Sequence, residues 1–222
     1  MVASVRGAHF RGVTIGQAAA PYNPNIFLDN FGGIAQELSL HTPDIGNDWI
    51  HYVITPTAST TGPSTSSMLS DDEPNNEQAA YVSQLTHTGT DIEFKFFVSS
   101  TGTTAQSISS VLSDSTRNVF LADMSCFYSP GGGEDPASAG TNFAFEINGV
   151  SILAYNDATF TGNAEYKIVI TSTTVAFYVG GVLKNSTTMS AFTAGPTEVV
   201  AYVSHLGEMG SISVTINDGT PV

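Results

Sequence analysis

The sequence holds one cysteine, Cys126, so no disulfide can form within the chain and cysteine count gives no redox compartment. Cations are nearly as scarce: six Lys and Arg stand against twenty Asp and Glu, for a formal charge of −14. A surface that acidic repels nucleic-acid phosphates and anionic membranes, so neither is expected as a partner. No apolar run approaches the ~18 residues of a membrane span, and the start, Met1-Val-Ala-Ser-Val-Arg-Gly, has no long apolar h-region. A membrane span and a classical signal peptide are therefore not expected, which leaves a virion or an extracellular or cell-surface location open. Charged residues make up only 12% of the chain, about half the usual share, and Ser, Thr, Asn and Gly occupy the difference.

What is present is strand-forming sequence. Tyr166, Ile168 and Ile170 fall at period two, as do Val175, Phe177 and Val179, the alternation of strands with one face in a core. Thr171 to Thr174 can turn the chain, and Gly180-Gly181 supplies the positive φ of a second tight turn. Residues 164–186 thus read as a three-stranded meander, which needs a second sheet to cover it. Ile92, Phe94, Phe96 and Val98 alternate with Asp91, Glu93 and Lys95. Asn148-Gly149 is the strongest hairpin signal, joining 143–147 to 150–155. Further strands are expected at 50–54, 81–85, 108–112, 118–124, 198–205 and 211–217. Residues 55–78 are rich in Thr, Ser, Pro and Asn and read as a long polar loop. Roughly a dozen strands without helical periodicity predict an all-β fold, a two-sheet antiparallel sandwich.

The domain division follows composition. Residues 26–222 form the sandwich, while 1–25 read as an extended N-terminal arm, since Pro21 and Pro24 forbid a continuous helix there. Arg6 and Arg11 lie in the first 28 residues, which contain no acid, so all twenty acids fall in the rest. A basic arm on an acidic body is expected to dock on another acidic surface, including a second copy of the chain, with Arg6, Arg11 and Tyr22 as its assembly residues.

Two stretches carry a resemblance. Tyr166-x-Ile-x-Ile followed by Val175-x-Phe-Tyr-Val-Gly-Gly-x-Leu183, together with Asp29-x-Phe31 … Leu40-His41-Thr-Pro-Asp44-x-Gly46-x-x-Trp49, resembles the concanavalin A-like, or laminin-G-like, jelly-roll superfamily, as found in bacteriophage and bacterial surface proteins. The resemblance covers residues 26 to about 217 and specifies fold better than function, because this superfold hosts lectins, hydrolases, adhesion modules and virion parts. It implies that Trp49 belongs to the core.

Its β-glucanase-type hydrolases carry E-x-D-x-E on one strand, one carboxylate acting as nucleophile and one as acid/base. The nearest match here is Gly89-Thr90-Asp91-Ile92-Glu93, with glycine where the nucleophile should stand, so no catalytic residue is assigned. Calcium is common in the loops of this fold. Asp71, Asp72 and Glu73 come closest to a hard-oxygen ligand set, with Glu134, Asp135, Asn156 and Asp157 as further oxygens, but none has the spacing of a calcium loop. No metal or other cofactor is assigned. His9, His41, His51, His87 and His205 lack zinc spacing. No serine elbow or phosphate-cradling glycine loop is present. Tyr128, Tyr155, Tyr178 and Tyr202 are the aromatics expected to stack on sugar rings. Cys126 lies in an apolar strand and reads as a small buried thiol.

The expected function is that of a non-enzymatic virion structural protein, a capsid decoration or fibre-type subunit that docks through its arm and displays a lectin-like sandwich. Its expected partners are a capsid or other virion protein, a second copy in a homo-oligomer, and a host surface glycan. The alternative is a carbohydrate-binding or adhesion module, with an inactive or divergent glycoside hydrolase third.

Overall fold

The computed structural model describes residues 26–51, 58–60, 68–70, 79–85, 89–99, 106–114, 120–129, 138–193, 197–205 and 208–217. In chain order the first strands are β1 (Ile26–Asp29), β2 (Ile50–His51), β3 (Ala58–Thr60), β4 (Met68–Ser70), β5 (Ala79–Leu85), β6 (Asp91–Val98) and β7 (Gln106–Asp114). They are followed by β8 (Phe120–Ser129), β9 (Ser138–Ile147), β10 (Val150–Asp157), β11 (Ala164–Ile170), β12 (Thr174–Val179), β13 (Val182–Thr188), β14 (Thr197–His205) and β15 (Glu208–Asn217). One 3-10 turn, Leu38–Leu40, is the sole helical piece among the described residues.

These strands make two antiparallel sheets. The first, sheet A, runs β13-β12-β11-β6-β15-β4-β3, with β1 also paired to β15. The second, sheet B, runs β10-β9-β8-β7-β14-β5-β2. The expected meander forms as β11, β12 and β13 at one edge of sheet A. Its first turn is closed by Thr171 N–H to Thr174 O at 2.8 Å, and its second by Gly180 and Gly181 at φ 55° and 77°. Asn148 and Gly149, at φ 52° and 72°, make the β9–β10 hairpin with the left-handed pair that twisted strands prefer.

The polar stretch 55–78 departs from expectation. Ala58–Thr60 and Met68–Ser70 pair as β3 and β4, and β4 then pairs with the start of β15. The reason is an available edge. β1 covers β15 at 212–215 only, so residues 208–209 keep unpaired backbone groups that β4 satisfies. The strand expected at 118–124 also runs longer, to Ser129, which brings Cys126 and Tyr128 into it.

Between the sheets lies an aromatic-rich core. Ile92, Phe94, Phe96 and Val98 of β6 are buried along with Tyr166, Ile168 and Ile170 of β11 and Val175, Phe177 and Val179 of β12. Sheet B answers with Ala122, Met124, Cys126, Phe143, Phe145, Val199 and Ala201. The sheets meet where Phe143 stacks on Phe177, ring centroids 4.6 Å apart at 9°. Tyr166 is the one large core side chain with a polar end on this side. Its hydroxyl donates to Thr161 O at 3.1 Å and lies 3.2 Å from Thr141 Oγ1, which satisfies the buried oxygen and ties the 158–163 connection to the core. Cys126 is buried beside it, and desolvation pushes its thiol up to about 12.

The entry motif forms a buried clasp. Asp29, at the end of β1, is fully buried and accepts three hydrogen bonds. They come from Phe31 N–H at 2.7 Å, His41 Nε2 at 2.9 Å and Trp49 Nε1–H at 2.6 Å. The bond to Phe31 N–H holds that residue at φ 51°, an otherwise strained value for a side chain of its size. Trp49 packs edge-on to Phe27 and stacks with Phe31. Asp29 raises the pKa of His41, first through this hydrogen bond and further through its charge, with Asp44 adding a smaller push; burial opposes them. The motif is thus core architecture, and Trp49 is 2% exposed, as expected.

Candidate functional site

With the core residues facing inward, each sheet turns its alternate positions outward, and the two outer faces differ in kind. On sheet B, β8 buries Ala122, Met124 and Cys126 and therefore presents Asp123, Ser125 and Phe127. The register extends this face across two more strands. Asp123 lies beside Ala144 and then Ala154, Ser125 beside Asn142 and then Asn156, and Phe127 beside Gly140.

These rows make a graded surface. Two alanines next to Asp123 leave a low step that keeps its carboxyl accessible. One row over, a hydroxyl and two carboxamides stand in line. At the end the Phe127 ring lies over Gly140, where a Cβ would collide with it, so the missing side chain is what lets the ring lie flat. Asp123 is exposed, yet desolvation by the protein around it raises its pKa, and it has no hydrogen-bond donor or counter-ion among the described residues. An accessible carboxyl that is nonetheless desolvated belongs low between its neighbours, not on a protruding tip. The side chains of Ser125, Asn142 and Asn156 likewise make no hydrogen bond among the described residues. Chemically the face offers acceptors, two-way amide groups and one aromatic ring, and among the described residues no hydrogen bond engages the Asp123, Ser125, Asn142 and Asn156 side chains.

Sheet A turns a different surface outward. Lys95 of β6 and Lys167 of β11 stand directly opposite each other, with Glu93 and Glu165 on either side of the pair, and the four make a square of ion pairs. Lys95 Nζ lies 3.0 Å from Glu93 and 3.9 Å from Glu165, and Lys167 Nζ lies 4.0 Å from each glutamate. Asp91 and Glu93, the nearest sequence match to paired hydrolase acids, are therefore on the central strand of sheet A, with Glu93 neutralised by two lysines. Next to the square, Tyr178 has Lys167 Nζ 5.4 Å from its ring centroid.

The tyrosines expected to bind sugar do not converge. Tyr178 is on the outer face of sheet A. Tyr128 shares the core-facing side of β8 and packs on Phe160, while Tyr155 packs on Phe177 and donates its hydroxyl to Asp157 at 2.8 Å. Tyr202 lies on β14, and its side chain is outside the described residues. Arg6, Arg11, Tyr22, Asp71, Asp72, Glu73, Glu134 and Asp135 are outside them as well. Among the described residues no three His, Cys, Asp or Glu side chains gather as a metal site, and no helix is long and apolar enough to cross a membrane. Sequence reasoning missed the Asp123 face. The available signal was the alternation Asp-x-Ser-x-Phe in β8, but its partners Asn142 and Asn156 are supplied by register.

No protein-family model matches the sequence, and no curated protein matches it. Solved structures do. The chain is similar to the CBM2 module of the evolved Dit of Lactobacillus casei BL23 phage J-1, with a TM-score of 0.52 at 10% identity over 93% of this chain and 94% of that one. It is also similar to the Emp47p carbohydrate recognition domain, with a TM-score of 0.49 at 9% identity over 91% and 99% of the two chains. A Bacillus licheniformis β-glucanase gives 0.48 at 14% identity over 83% and 99%. At these identities the likeness is one of fold alone, an all-β sandwich of two antiparallel sheets.

Proposed function

We propose that this protein is a non-catalytic, glycan-binding β-sandwich of a bacteriophage particle, a decoration or fibre-type subunit that reads surface sugars through the outer face of sheet B. The observation that carries the reading is the Asp123 face itself. A carboxylate, a hydroxyl, two carboxamides and a ring lie in register across three strands, and among the described residues no group uses their hydrogen-bonding capacity. Sugars need this combination: adjacent hydroxyls bond a carboxylate and amides, while the apolar face of a pyranose lies on an aromatic ring.

Charge placement supports the non-catalytic part of the reading. Retaining hydrolysis requires two carboxyls about 5–5.5 Å apart, one of them held protonated. On β8 the next outward position after Asp123 is Ser125, and the acid on the adjoining strand, Glu146 of β9, stands two residues along from Ala144, with which Asp123 pairs. On the other sheet Glu93 has Asp91 two residues away but is paired to lysines. The phage assignment draws on the likeness in fold to the phage J-1 module and on the basic arm at 1–25, which is suited to docking on an acidic particle protein or a second copy.

Glycan-array binding by the intact protein tests the sugar reading, with Asp123→Ala and Asn142→Ala expected to lose the same subset of captured glycans while leaving the circular-dichroism melt unchanged. A protein that captures no glycan overturns it. Turnover of a β-glucan that disappears on Glu93→Gln would overturn the non-catalytic part. Co-sedimentation with phage particles that survives removal of residues 1–25 would overturn docking through the arm.

A further inference from the structure

The outer face of sheet A carries a groove that the Asp123 site does not use. It holds about 410 Å³ and is lined by Thr174, Ala176, Tyr178, Leu183, Ser186 and Thr188. Its origin is a register effect. Tyr178 pairs with Leu183 and Ala176 with Ser186, with a shift between Phe177 and Tyr178 that skips Lys184. A row of two large side chains is thus followed by a row of two small ones, and the step between them is the groove. Hydroxyls from Thr174 and Thr188 close its far end. The volume falls in the low part of the range of small-molecule sites, about 300–1,000 Å³.

The surrounding charges define what fits. The square of Glu93, Glu165, Lys95 and Lys167 sums to zero, on a chain whose total is −14. An anionic ligand would approach two glutamates that already share the ammonium groups. Lys167, outside the groove, places its ammonium over the Tyr178 ring, 5.4 Å from the centroid, and at 4.0 Å from each glutamate. A peptide strand is disfavoured because the outer edge of β13 already faces β10, where Asn185 Nδ2 donates to Ala154 O at 2.9 Å.

We propose that this groove is a second saccharide site, on the face opposite Asp123, taking an uncharged sugar unit against Tyr178 with its hydroxyls toward Thr174, Ser186 and Thr188. It stands independently of the Asp123 reading, since no residue is shared. Two sites on opposite faces make a single chain divalent, able to bridge two glycan strands.

The test is an amide NMR titration of the Asp123→Ala protein, which retains only this groove, with cellotetraose, laminaritetraose and maltotetraose. The expected result is saturable shifts at Ala176, Tyr178, Leu183 and Ser186 with at least one of the three, unchanged by added salt. Binding should weaken by at least about tenfold in Tyr178→Ala and again in Ser186→Arg, which fills the groove without touching the ring. Absence of saturable shifts with all three sugars overturns the proposal, as do shifts that persist in both variants. Tighter binding of tetragalacturonate than of the neutral sugars overturns the uncharged class. Shifts here together with a silent glycan array for the Asp123 face would sink that reading and leave this one standing.

Discussion

Removing the carboxylate of Asp29 tests how the sandwich holds its first strand. Asp29→Ala takes the shared acceptor from Phe31 N–H, His41 Nε2 and Trp49 Nε1–H at once, all inside the core. Each of the two neutral donors left without a partner costs about 1–3 kcal/mol. Relief from burying a carboxylate offsets part of that, and breaking buried ion pairs by removing one member costs about 3–5 kcal/mol overall. With a urea m-value of about 3 kcal/mol/M, the unfolding midpoint should fall by roughly 1–1.7 M. Trp49 is the only tryptophan and is itself a member of the clasp, so its fluorescence reports both the unfolding and the lost indole bond. Asp29→Asn, which keeps one carbonyl oxygen, should lose less. A loss below about 1 kcal/mol in the alanine variant would refute the view that the clasp fastens β1 to the body, because one unpaired buried donor already exceeds it.

His41 gives the clasp a pH dependence. Its folded pKa is raised, so its contribution is fully present below the unfolded value of about 6.5 and is lost as pH rises through the folded value. Wild type should therefore lose stability relative to His41→Gln across that alkaline-going window, by urea midpoints at several pH values; a constant difference would contradict it. Gly46→Ala places a Cβ against the Phe27 ring at a backbone φ of 126°, so it should cost about 1–3 kcal/mol in the same assay. Asp123→Asn should leave the melting temperature unchanged or raise it, since desolvation already disfavours the charged carboxyl. A marked drop would mean that Asp123 has a structural partner. Cys126, with its thiol held near 12, should resist a maleimide probe in the folded protein and react only on unfolding; labelling under native conditions would contradict its burial.

Local chemistry determined much of the fold. The period-two runs at 92–98, 166–170 and 175–179 can serve only strands with one buried face. Asn148-Gly149 and Gly180-Gly181 accept the left-handed turns that the hairpins need, and the resemblance carried by the segment from Asp29 to Trp49 implied that Trp49 belongs to the core. The sequence also determined that no disulfide braces this fold and that the body is strongly acidic. Tertiary structure decided the rest, because it depends on which strand lies beside which. Asp29 meets His41 and Trp49 across twelve and twenty residues, through a turn that alternation cannot describe. Met68–Ser70 becomes a strand because β15 leaves it an edge. Asp123 becomes a candidate site only when register sets Asn142, Asn156 and Gly140 on neighbouring strands, and Glu93 gains its second lysine only when β11 brings Lys167 within 4.0 Å. A one-residue slip would turn either face inside out, so no reading of single strands could have assembled them.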